Sequence, residues 1–351
     1  MGTKDSDLSI NLISAYNPDF VIHNGDFAYD MHDNEGKVGD EFLGQIQKVA
    51  SKIPYVVNIG NHDVIYSSHY RTKFATPSGV WPTPKKSMWY SFDVGQIHFI
   101  AYSSETFYTG SQTGHCSQYD WLKKDLEKAN RNRKLRPWII AFAHRPMYCS
   151  AFDFDDCTTG NSLVKQAFEK LFYAYGVDII VESHEHMYER TYPVFDGIMV
   201  QNNYIDPKAP IHFITGAGGS REGRQLAIDL FRREWSAFIY RSHFTVSHFQ
   251  AVNSSHIYWK QIRSTDNKTI DKITIVQNYH GPFNESMHSA LFCTRIVLYI
   301  PPLTVFILCF AVTFLLCLSA IVFYCPKRDK SKRLTNYFGY DNRFYLRDDY
   351  E

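Results

Sequence analysis

Aspartate, asparagine, histidine and tyrosine side chains follow several apolar runs of this chain, in positions where they could bind metal ions. The first run, 20–23, is followed by a turn at Gly25 and then by Asp26. A carboxylate has two oxygens, so Asp26 could bridge two cations about 3.5–4 Å apart, the separation of two-metal hydrolytic sites. Tyr29 follows and offers a phenolate, a hard charged oxygen suited to a trivalent ion such as Fe(III). Alone this signal is weak, because polar turns after strands are common.

Later apolar runs end in residues of the same kind, which are Asn61, His144 and the pair His184 and His186. Open α/β sheets bind ligands at the carboxyl ends of their strands, so we expect these side chains along one rim. One cation could be held by Asp26, Asn61, His144 and His184, and a second by Asp26, Tyr29 and His186. Mixed nitrogen and oxygen ligands suit iron, zinc or manganese. A single histidine is more often structural, and it is the joint placement that predicts a two-metal site.

His62 follows Asn61 directly, so it would lie beside the metals without having to bind them. Two cations at this separation clamp an anion and lower the pKa of a bound water, and phosphoester hydrolysis is the reaction that most needs this. His62 could then act as an acid toward the leaving alkoxide. Six other histidines are interpreted as structural: His23, His98, His212, His243, His248 and His256.

The elements that must position this rim follow from the periodicity of the apolar residues. Strand-like runs alternate with helical patterns, of which 41–51, 118–130 and 163–175 are the clearest, and this alternation indicates an α/β fold. Beyond Gly219 three further runs predict an antiparallel meander that closes a second sheet: 244–250, 256–263 and 272–277. We therefore predict a sandwich of two mixed β-sheets flanked by helices.

Composition narrows the class of protein. The chain has 351 residues and a formal net charge of +1, which argues against a nucleic-acid binder that works through bulk electrostatics. Cys149 and Cys157 flank the acidic loop 150–156, for which we predict a disulfide, the alternative being two free thiols.

The C-terminal part predicts a membrane anchor. The stretch from Ile296 to Tyr324 has no charged residue and exceeds the ~20 residues that span a bilayer. The basic cluster 327–333 follows it and favours a cytoplasmic tail, which places the body of the chain in an extracellular or lumenal compartment. Three glycosylation sequons lie on that side, at Asn253, Asn267 and Asn284. We predict a single transmembrane helix over 296–325, after a linker over 286–295 and before a tail over 326–351.

Four motifs together resemble the successive motifs of the purple acid phosphatases, a family of calcineurin-like metallophosphoesterases. They are Gly25-Asp26-x-x-Tyr29, Gly60-Asn61-His62-Asp63, His144-Arg145-Pro146 and His184-x-His186-x-Tyr188-Glu189-Arg190. The likeness covers most of residues 1–283, and Tyr29 separates this family from other calcineurin-like phosphoesterases. The resemblance implies the metallophosphoesterase sandwich, with a core over 1–219 and the family's C-terminal segment over 220–285.

The resemblance also implies a chemistry, which is hydrolysis of small-molecule or protein phosphate monoesters at acidic pH. The centre would hold Fe(III) and a divalent zinc, iron or manganese ion, with a metal-bound hydroxide as nucleophile. Tyr29 and His186 would bind the iron, and Asp26 would bridge. The divalent ion would be held by Asn61, His144 and His184, while His62 would contact the substrate phosphate.

One departure from the family pattern concerns the first motif, Gly-Asp-Met/Leu-Gly, whose aspartate is an iron ligand. This chain starts with Met1-Gly2, as if cut just after that aspartate. We expect that the sequence begins at an internal methionine of a longer precursor, which would also account for a lumenal domain without a signal peptide. Two alternatives stay open: a catalytically impaired membrane-anchored binding protein on the same fold, and a related phosphodiesterase or nucleotidase.

Overall fold

The computed structural model describes residues 1–290 apart from 3, 65–66, 78, 85–87, 110–111, 154, 227–228 and 231. The helices of this part, numbered along the chain, are α1 (Lys4–Tyr16), α2 (Lys37–Ala50), α3 (Asn61–Val64), α4 (Ser67–Lys73), α5 (Gln112–Arg131), α6 (Asp156–Thr159) and α7 (Leu163–Ala174), with 3-10 turns at Glu105–Phe107 and Glu285–Ala290. The strands are β1 (Val21–Asn24), β2 (Tyr55–Asn58), β3 (Tyr90–Val94), β4 (Ile97–Ala101), β5 (Trp138–Phe142), β6 (Ile179–Glu182), β7 (Tyr188–Thr191), β8 (Val194–Phe195), β9 (Ile198–Met199), β10 (Ile211–Thr215), β11 (Ser236–Tyr240), β12 (Thr245–Ala251), β13 (His256–Arg263) and β14 (Thr269–Val276).

The main sheet has seven strands in the order β11-β7-β10-β6-β5-β4-β3. Strands β4, β5, β6 and β10 are parallel, whereas β3, β7 and β11 join their neighbours in antiparallel fashion. The sheet is therefore mixed, as predicted. Its central strands β5 and β6 are buried along their whole length, which matches their uninterrupted apolar sequences.

The second layer departs from the prediction of one further mixed sheet. It consists of the parallel pair β1–β2 and the separate antiparallel meander β12-β13-β14, while β8 and β9 form a small hairpin elsewhere. A cavity lies between β1 and β12, so within the described residues no backbone hydrogen bonds join the two pieces. The predicted second sheet is thus present as two halves.

Aromatic side chains fill the space between the two layers. Phe213 of the main sheet stacks on Trp259 of β13 with ring centroids 3.7 Å apart, and Phe20 packs edge-on against Phe99 at 5.3 Å. On the other face of the main sheet, α7 presents an apolar stripe at helical spacing, which includes Val164, Phe168, Leu171 and Phe172. This helix starts where the Ser162 side chain accepts a hydrogen bond from the Lys165 amide, a standard N-cap.

Two buried asparagines tie the layers together directly beneath the rim. The Asn24 amide donates to the carbonyl oxygens of Ala143 and Val181, and the Asn58 amide donates to those of Tyr102 and Phe142. These bonds fix the carboxyl ends of β1 and β2 against the ends of β5 and β6, because each amide satisfies carbonyls of the opposite sheet.

Within the described part of the chain, no helix is both long enough and apolar enough to cross a membrane. The predicted transmembrane segment 296–325 and the tail 326–351 lie outside the described residues. The three predicted sequon asparagines, Asn253, Asn267 and Asn284, are exposed. Their glycosylation stays a prediction.

Candidate metal centre

The polar residues predicted at the rim come together at one point between the two sheets. Strands β1 and β2 deliver Asp26 and Asn61, while β5 and β6 deliver His144 and His184. Each residue lies two or three positions beyond the end of its strand, so a short turn carries it from the sheet edge into the shared site. Ligand-type atoms of Asp26, His144 and His184 all lie within 4.8 Å of one another.

The turns that carry these residues have unusual backbone conformations. Asp26, Tyr29 and His184 have positive φ angles of 55°, 50° and 65°. Side chains other than glycine rarely adopt this left-handed region, and such positions concentrate at functional sites. Gly25 and Gly60 allow the turns to approach closely, since a Cβ on Gly25 would lie 2.6 Å from the His144 ring and one on Gly60 would lie 2.4 Å from the Asp26 carboxylate.

One group of four side chains forms a compact cage. The Asn61 Oδ1 atom lies 2.9 Å from His144 Nε2 and 3.0 Å from His184 Nδ1. His144 Nε2 lies 3.2 Å from Asp26 Oδ2 and also 3.2 Å from His184 Nδ1. In this cage one carboxylate oxygen, one amide oxygen and two imidazole nitrogens converge, a donor set that suits zinc, iron or manganese.

Neighbouring groups orient both imidazoles of this cage. His144 Nδ1 donates to the Asn24 carbonyl at 2.8 Å, which leaves Nε2 as the atom with a free lone pair. His184 Nε2 lies 2.9 Å from Asp155 Oδ2, so Nδ1 is the atom turned toward the cage. Such carbonyl and carboxylate partners fix the tautomer and increase the basicity of metal-binding histidines. Asp155 was predicted only as part of an acidic loop, so this role was missed.

The second predicted group, around Tyr29, is smaller. Tyr29 Oη lies 2.7 Å from His186 Nε2, and the two rings meet edge to face. Burial raises the pKa of the Tyr29 phenol above its usual value, and burial lowers the pKa of His186 to about 4. Without a metal the phenol therefore donates its proton to a neutral imidazole, and a bound cation would have to displace that proton.

The cage carries charge before any metal binds. Burial alone would favour neutral forms, but the contact with Asp26 outweighs it and raises the pKa of His144 to about 9. By the same contact the pKa of Asp26 is held well below its usual value although burial opposes this. A positive His144 and a negative Asp26 thus form a buried pair, and a divalent cation would replace the His144 proton.

Asp63 fastens the two loops of the second layer, a role that the sequence did not reveal. Its carboxylate accepts the backbone N–H groups of Asp26 and Gly60 at 2.8 and 2.9 Å. Burial, followed by the charge of Asp26, raises the pKa of Asp63 to about 7. The signal was its place in the Gly60-Asn61-His62-Asp63 motif, where it marks the end of the tight turn.

His62 lies beside the cage and outside it. Its backbone N–H donates to Asp26 Oδ1 at 3.1 Å, its ring packs on Tyr29 at 4.6 Å, and its Nδ1 atom lies 3.3 Å from Asp30 Oδ1. The outward Nε2 atom is 3.6 Å from Glu222 Oε1. This position leaves the imidazole available to a molecule that enters from solvent.

An open cavity of about 270 Å³ leads from solvent to the cage and reaches His62, His184 and His186. Five of its lining residues were not predicted as site residues, namely Asp153, Glu185, Glu222, Arg224 and Gln225. Gln225 crosses the cavity floor and donates to Asp153 and Glu185, both at 2.7 Å. The loop that carries Asp153 and Asp155 is closed by a disulfide between Cys149 and Cys157, whose Cα atoms are 5.3 Å apart.

Of the histidines predicted to be structural, two pair with carboxylates away from the cage. His212 Nδ1 lies 3.0 Å from Glu182 Oε2 in the core. His98 is held on both sides, by Asp93 at 2.7 Å and by Asp125 at 2.9 Å. Neither ring keeps a partner set that resembles the cage.

Comparisons with known proteins identify the class that this fold and site define. The model of the calcineurin-like phosphoesterase family matches residues 8–188, and a model of the C-terminal part of iron/zinc purple acid phosphatase-like proteins matches residues 209–272. The first match covers more than half of the chain, and the chain belongs to the calcineurin-like phosphoesterase family.

Particular relatives point to one branch of that family. The chain is 40% identical over 285 residues to the acid phosphatase type 7 of Danio rerio, which covers 75% of this chain and 63% of the relative. It is 37% identical to the human acid phosphatase type 7, with 75% of this chain and 62% of the relative covered. The chain thus spans less than two thirds of the length of these relatives.

Solved structures agree on the fold. A purple acid phosphatase from yellow lupin seeds superposes with a TM-score of 0.65 at 24% identity and covers 84% of this chain and 52% of that chain. The Plasmodium anchor protein of the inner membrane complex superposes with a TM-score of 0.54 at 16% identity, over 86% of this chain and 94% of that chain. At these identities the likeness concerns the fold alone.

Proposed function

We propose that this protein hydrolyses phosphate monoesters at acidic pH with a binuclear Fe(III)–M(II) centre. The observation that carries the proposal is the convergence of Asp26, Asn61, His144 and His184 into one cage, with Tyr29 and His186 beside it. The acid phosphatase relatives support the same reaction. Substrates would be small-molecule or protein phosphate esters.

The donor sets fit two different ions. Asn61, His144 and His184 would hold a divalent zinc, iron or manganese ion, while Tyr29 and His186 would hold Fe(III), for which a phenolate is a suitable hard ligand. Asp26 is the only one of these residues with two carboxylate oxygens, so it would bridge. When bound, such a pair of cations activates a water and withdraws charge from the phosphoryl oxygens.

The remaining chemistry belongs to residues around the cage. His62 faces the open cavity and would place a proton on the oxygen of the leaving alcohol. Arg224 supplies the one guanidinium among the described residues of that cavity lining, suited to a phosphate oxygen. Asp63 and Asp155 would keep the metal-binding loops and the His184 ring in place.

Iron-loaded protein with a second metal gives a decisive test. We expect p-nitrophenyl phosphate hydrolysis and a visible absorption band from tyrosinate-to-iron charge transfer, with the band lost in Tyr29→Phe. His62→Ala should lower kcat by about 100-fold, the usual contribution of general acid catalysis, while the band persists. Protein that binds iron and a second metal near one to one but leaves every phosphate ester intact would contradict the proposal.

A second candidate, a catalytically impaired binding protein on the same fold, is favoured by one observation. Among the described residues the Tyr29 side offers only Tyr29, His186 and a shared Asp26. Metal analysis separates the candidates: the enzyme should contain iron and a second metal in near-equal amounts, whereas the binding protein should not retain iron.

Membrane attachment remains part of the proposal. We propose a single-pass protein anchored by residues 296–325, with the body extracellular or lumenal and the tail cytoplasmic. Exposure of the three sequon asparagines supports this orientation. Removal of N-glycans should increase gel mobility, and protease added to intact cells should cleave the body and spare the tail. The expected start at an internal methionine likewise stays a prediction, which sequencing of the transcript's 5′ end would test.

A further inference from the structure

An apolar cavity of about 200 Å³ lies between the open edges of β1 and β12. Toward the main sheet its wall is formed by residues such as Val181 and Trp259, and toward α1 by Leu12 and Ile13. A volume of this size has room for roughly a dozen water molecules, yet the lining is mainly apolar. We call this cavity, between Val21–Asn24 and Thr245–Ala251, the slot.

The backbone on both sides of the slot is ready to pair. In β1 the Val21 amide donates to Pro54, toward β2, so the alternate residue Ile22 directs its N–H into the slot. In β12 the Val252 amide donates to His256, which by alternation turns the N–H groups of Ser247 and Phe249 away from β13. Within the described residues these three N–H groups have no hydrogen-bond partner, a costly arrangement for a partly buried backbone.

The two edges run in opposite directions across the slot. Phe20, just before β1, lies with its ring 6.4 Å from that of Phe249, near the end of β12. At the other end the Thr245 amide donates to Ala217, close to the end where β1 leads to Asp26. One strand between them would therefore run parallel to β1 and antiparallel to β12, and both orientations form good ladders.

Met1 shows where such a strand would leave the slot. Its side chain lines the slot, and its amino group donates to the Asp26 carbonyl at 2.7 Å. This places the amino group at the metal end. A segment joined to Met1 would therefore run along the slot toward Asp26, in the same direction as β1.

We propose that the slot binds one extended β-strand joined to Met1, uncharged and apolar on both faces. The strand would be roughly four to six residues long, since β1 has 4 residues and β12 has 7. It would join the two halves of the second layer into one mixed sheet and pair the open backbone groups on both edges. Apolar side chains are needed on both faces because the strand would be covered by the main sheet and by α1. This proposal does not rest on the proposed phosphatase activity.

Amide hydrogen exchange tests the proposal without any metal or substrate. Two extended proteins are compared with the unextended chain. One carries a soluble Gly-Ser leader and six alternating valine and isoleucine residues ahead of Met1, and the other has proline at every second of those six positions. Proline lacks the N–H that a ladder requires. We expect exchange at Ile22, Ser247 and Phe249 to slow at least tenfold in the first protein only. Equal exchange in all three proteins would overturn the proposal.

A blocked slot gives an independent check in the protein with the valine–isoleucine extension. Val246 lines the slot, whereas Gln250 on the same strand is exposed and does not. Val246→Trp should abolish the protection, and the matched Gln250→Trp should keep it. Palmitate serves as a probe for a different occupant. If palmitate binds the unextended chain and the extension neither displaces it nor protects the three amides, the slot is a lipid pocket and the proposal fails.

Discussion

The two sides of the candidate centre are built differently. The cage around His144 and His184 has four converging side chains, and carbonyl or carboxylate partners hold both of its rings. The side around Tyr29 and His186 has two side chains of its own, which bond to each other. The first side is organised by the packing of two sheets, whereas the second depends on a left-handed turn at Tyr29 and borders the slot.

This difference predicts different behaviour toward metals. A preorganised site loses little conformational freedom when a cation binds, so the cage should bind a divalent ion on its own. The Tyr29 side must break a phenol–imidazole hydrogen bond and release a proton, so it should bind more weakly and with a stronger dependence on pH. The cage should therefore fill first when metal-free protein is titrated with zinc.

The largest effect is expected from Asp26→Asn, which breaks both sides at once. Asp26 contacts His144 in the cage and would supply an oxygen to the Tyr29 side. Its loss should lower zinc affinity more than about 100-fold, beyond the 10–100-fold typical of residues that only orient ligands. The measurement is competition with a chelator, and exposed Asp19→Asn is the control. Unchanged zinc affinity in the Asp26→Asn protein would show that the carboxylate is not a ligand.

A smaller effect that separates the two sides is expected from Asp155→Asn. Asp155 lies 2.9 Å from His184 Nε2 and touches the cage through that ring. Zinc affinity of the cage should fall about 10–100-fold, because an amide orients the imidazole less firmly than a carboxylate does. Iron binding detected through the Tyr29 absorption band should be nearly unchanged. Exposed Asp120→Asn on α5 is the matched control. Equal losses on both sides would erase the distinction between them.

The sequence was informative about the cage and much less so about what supports it. Asp26, Asn61, His144 and His184 follow apolar strands, so strand ends and residue type were enough to predict that they meet. Asp155 and Asn24 were missed as supports because their contacts join distant parts of the chain, 29 and 120 positions apart, and no local pattern encodes such pairs.

The second layer shows a different limit of sequence reasoning. Residue patterns predicted the strands β12, β13 and β14 and the pair β1–β2, but they could not show which edges pair. Helix α1 (Lys4–Tyr16) was not predicted, since its polar first turn gives little apolar periodicity. The slot beneath it became visible only with coordinates.

Proton release sharpens the comparison with a change of about one proton per site. Burial raises the pKa of the Tyr29 phenol, so its proton stays bound until a metal displaces it. Tyr29→Phe should therefore release one proton fewer when iron binds near neutral pH, because phenylalanine has no proton to lose. Calorimetry in buffers of different ionisation enthalpy measures this number. Zinc binding in the cage should release the same number of protons in both proteins, and an equal change there would contradict the assignment.

The smallest effect concerns His98, a histidine whose environment contrasts with that of His144. Both of its ring nitrogens face carboxylates, Asp93 and Asp125, so no lone pair is free for a metal. Burial lowers the pKa of His98, but the hydrogen bond and charge of Asp125, followed by those of Asp93, outweigh it and raise the pKa above 6.5. A raised folded-state pKa means that this group's stabilisation is complete below about pH 6.5 and is lost as pH rises through the folded value.

His98→Gln should therefore narrow the difference in unfolding free energy between pH 6 and pH 9, by less than removal of a fully buried pair would, since the site is partly open to solvent. Urea unfolding of metal-free protein at the two pH values measures the change, and His256→Gln is the matched control on the surface of β13. His98→Gln should also leave zinc affinity unchanged. A loss of zinc affinity in this variant would mean that histidines held by two carboxylates contribute to metal binding here, and the contrast with the one-sided support of His144 would no longer distinguish a metal-binding histidine from a structural one.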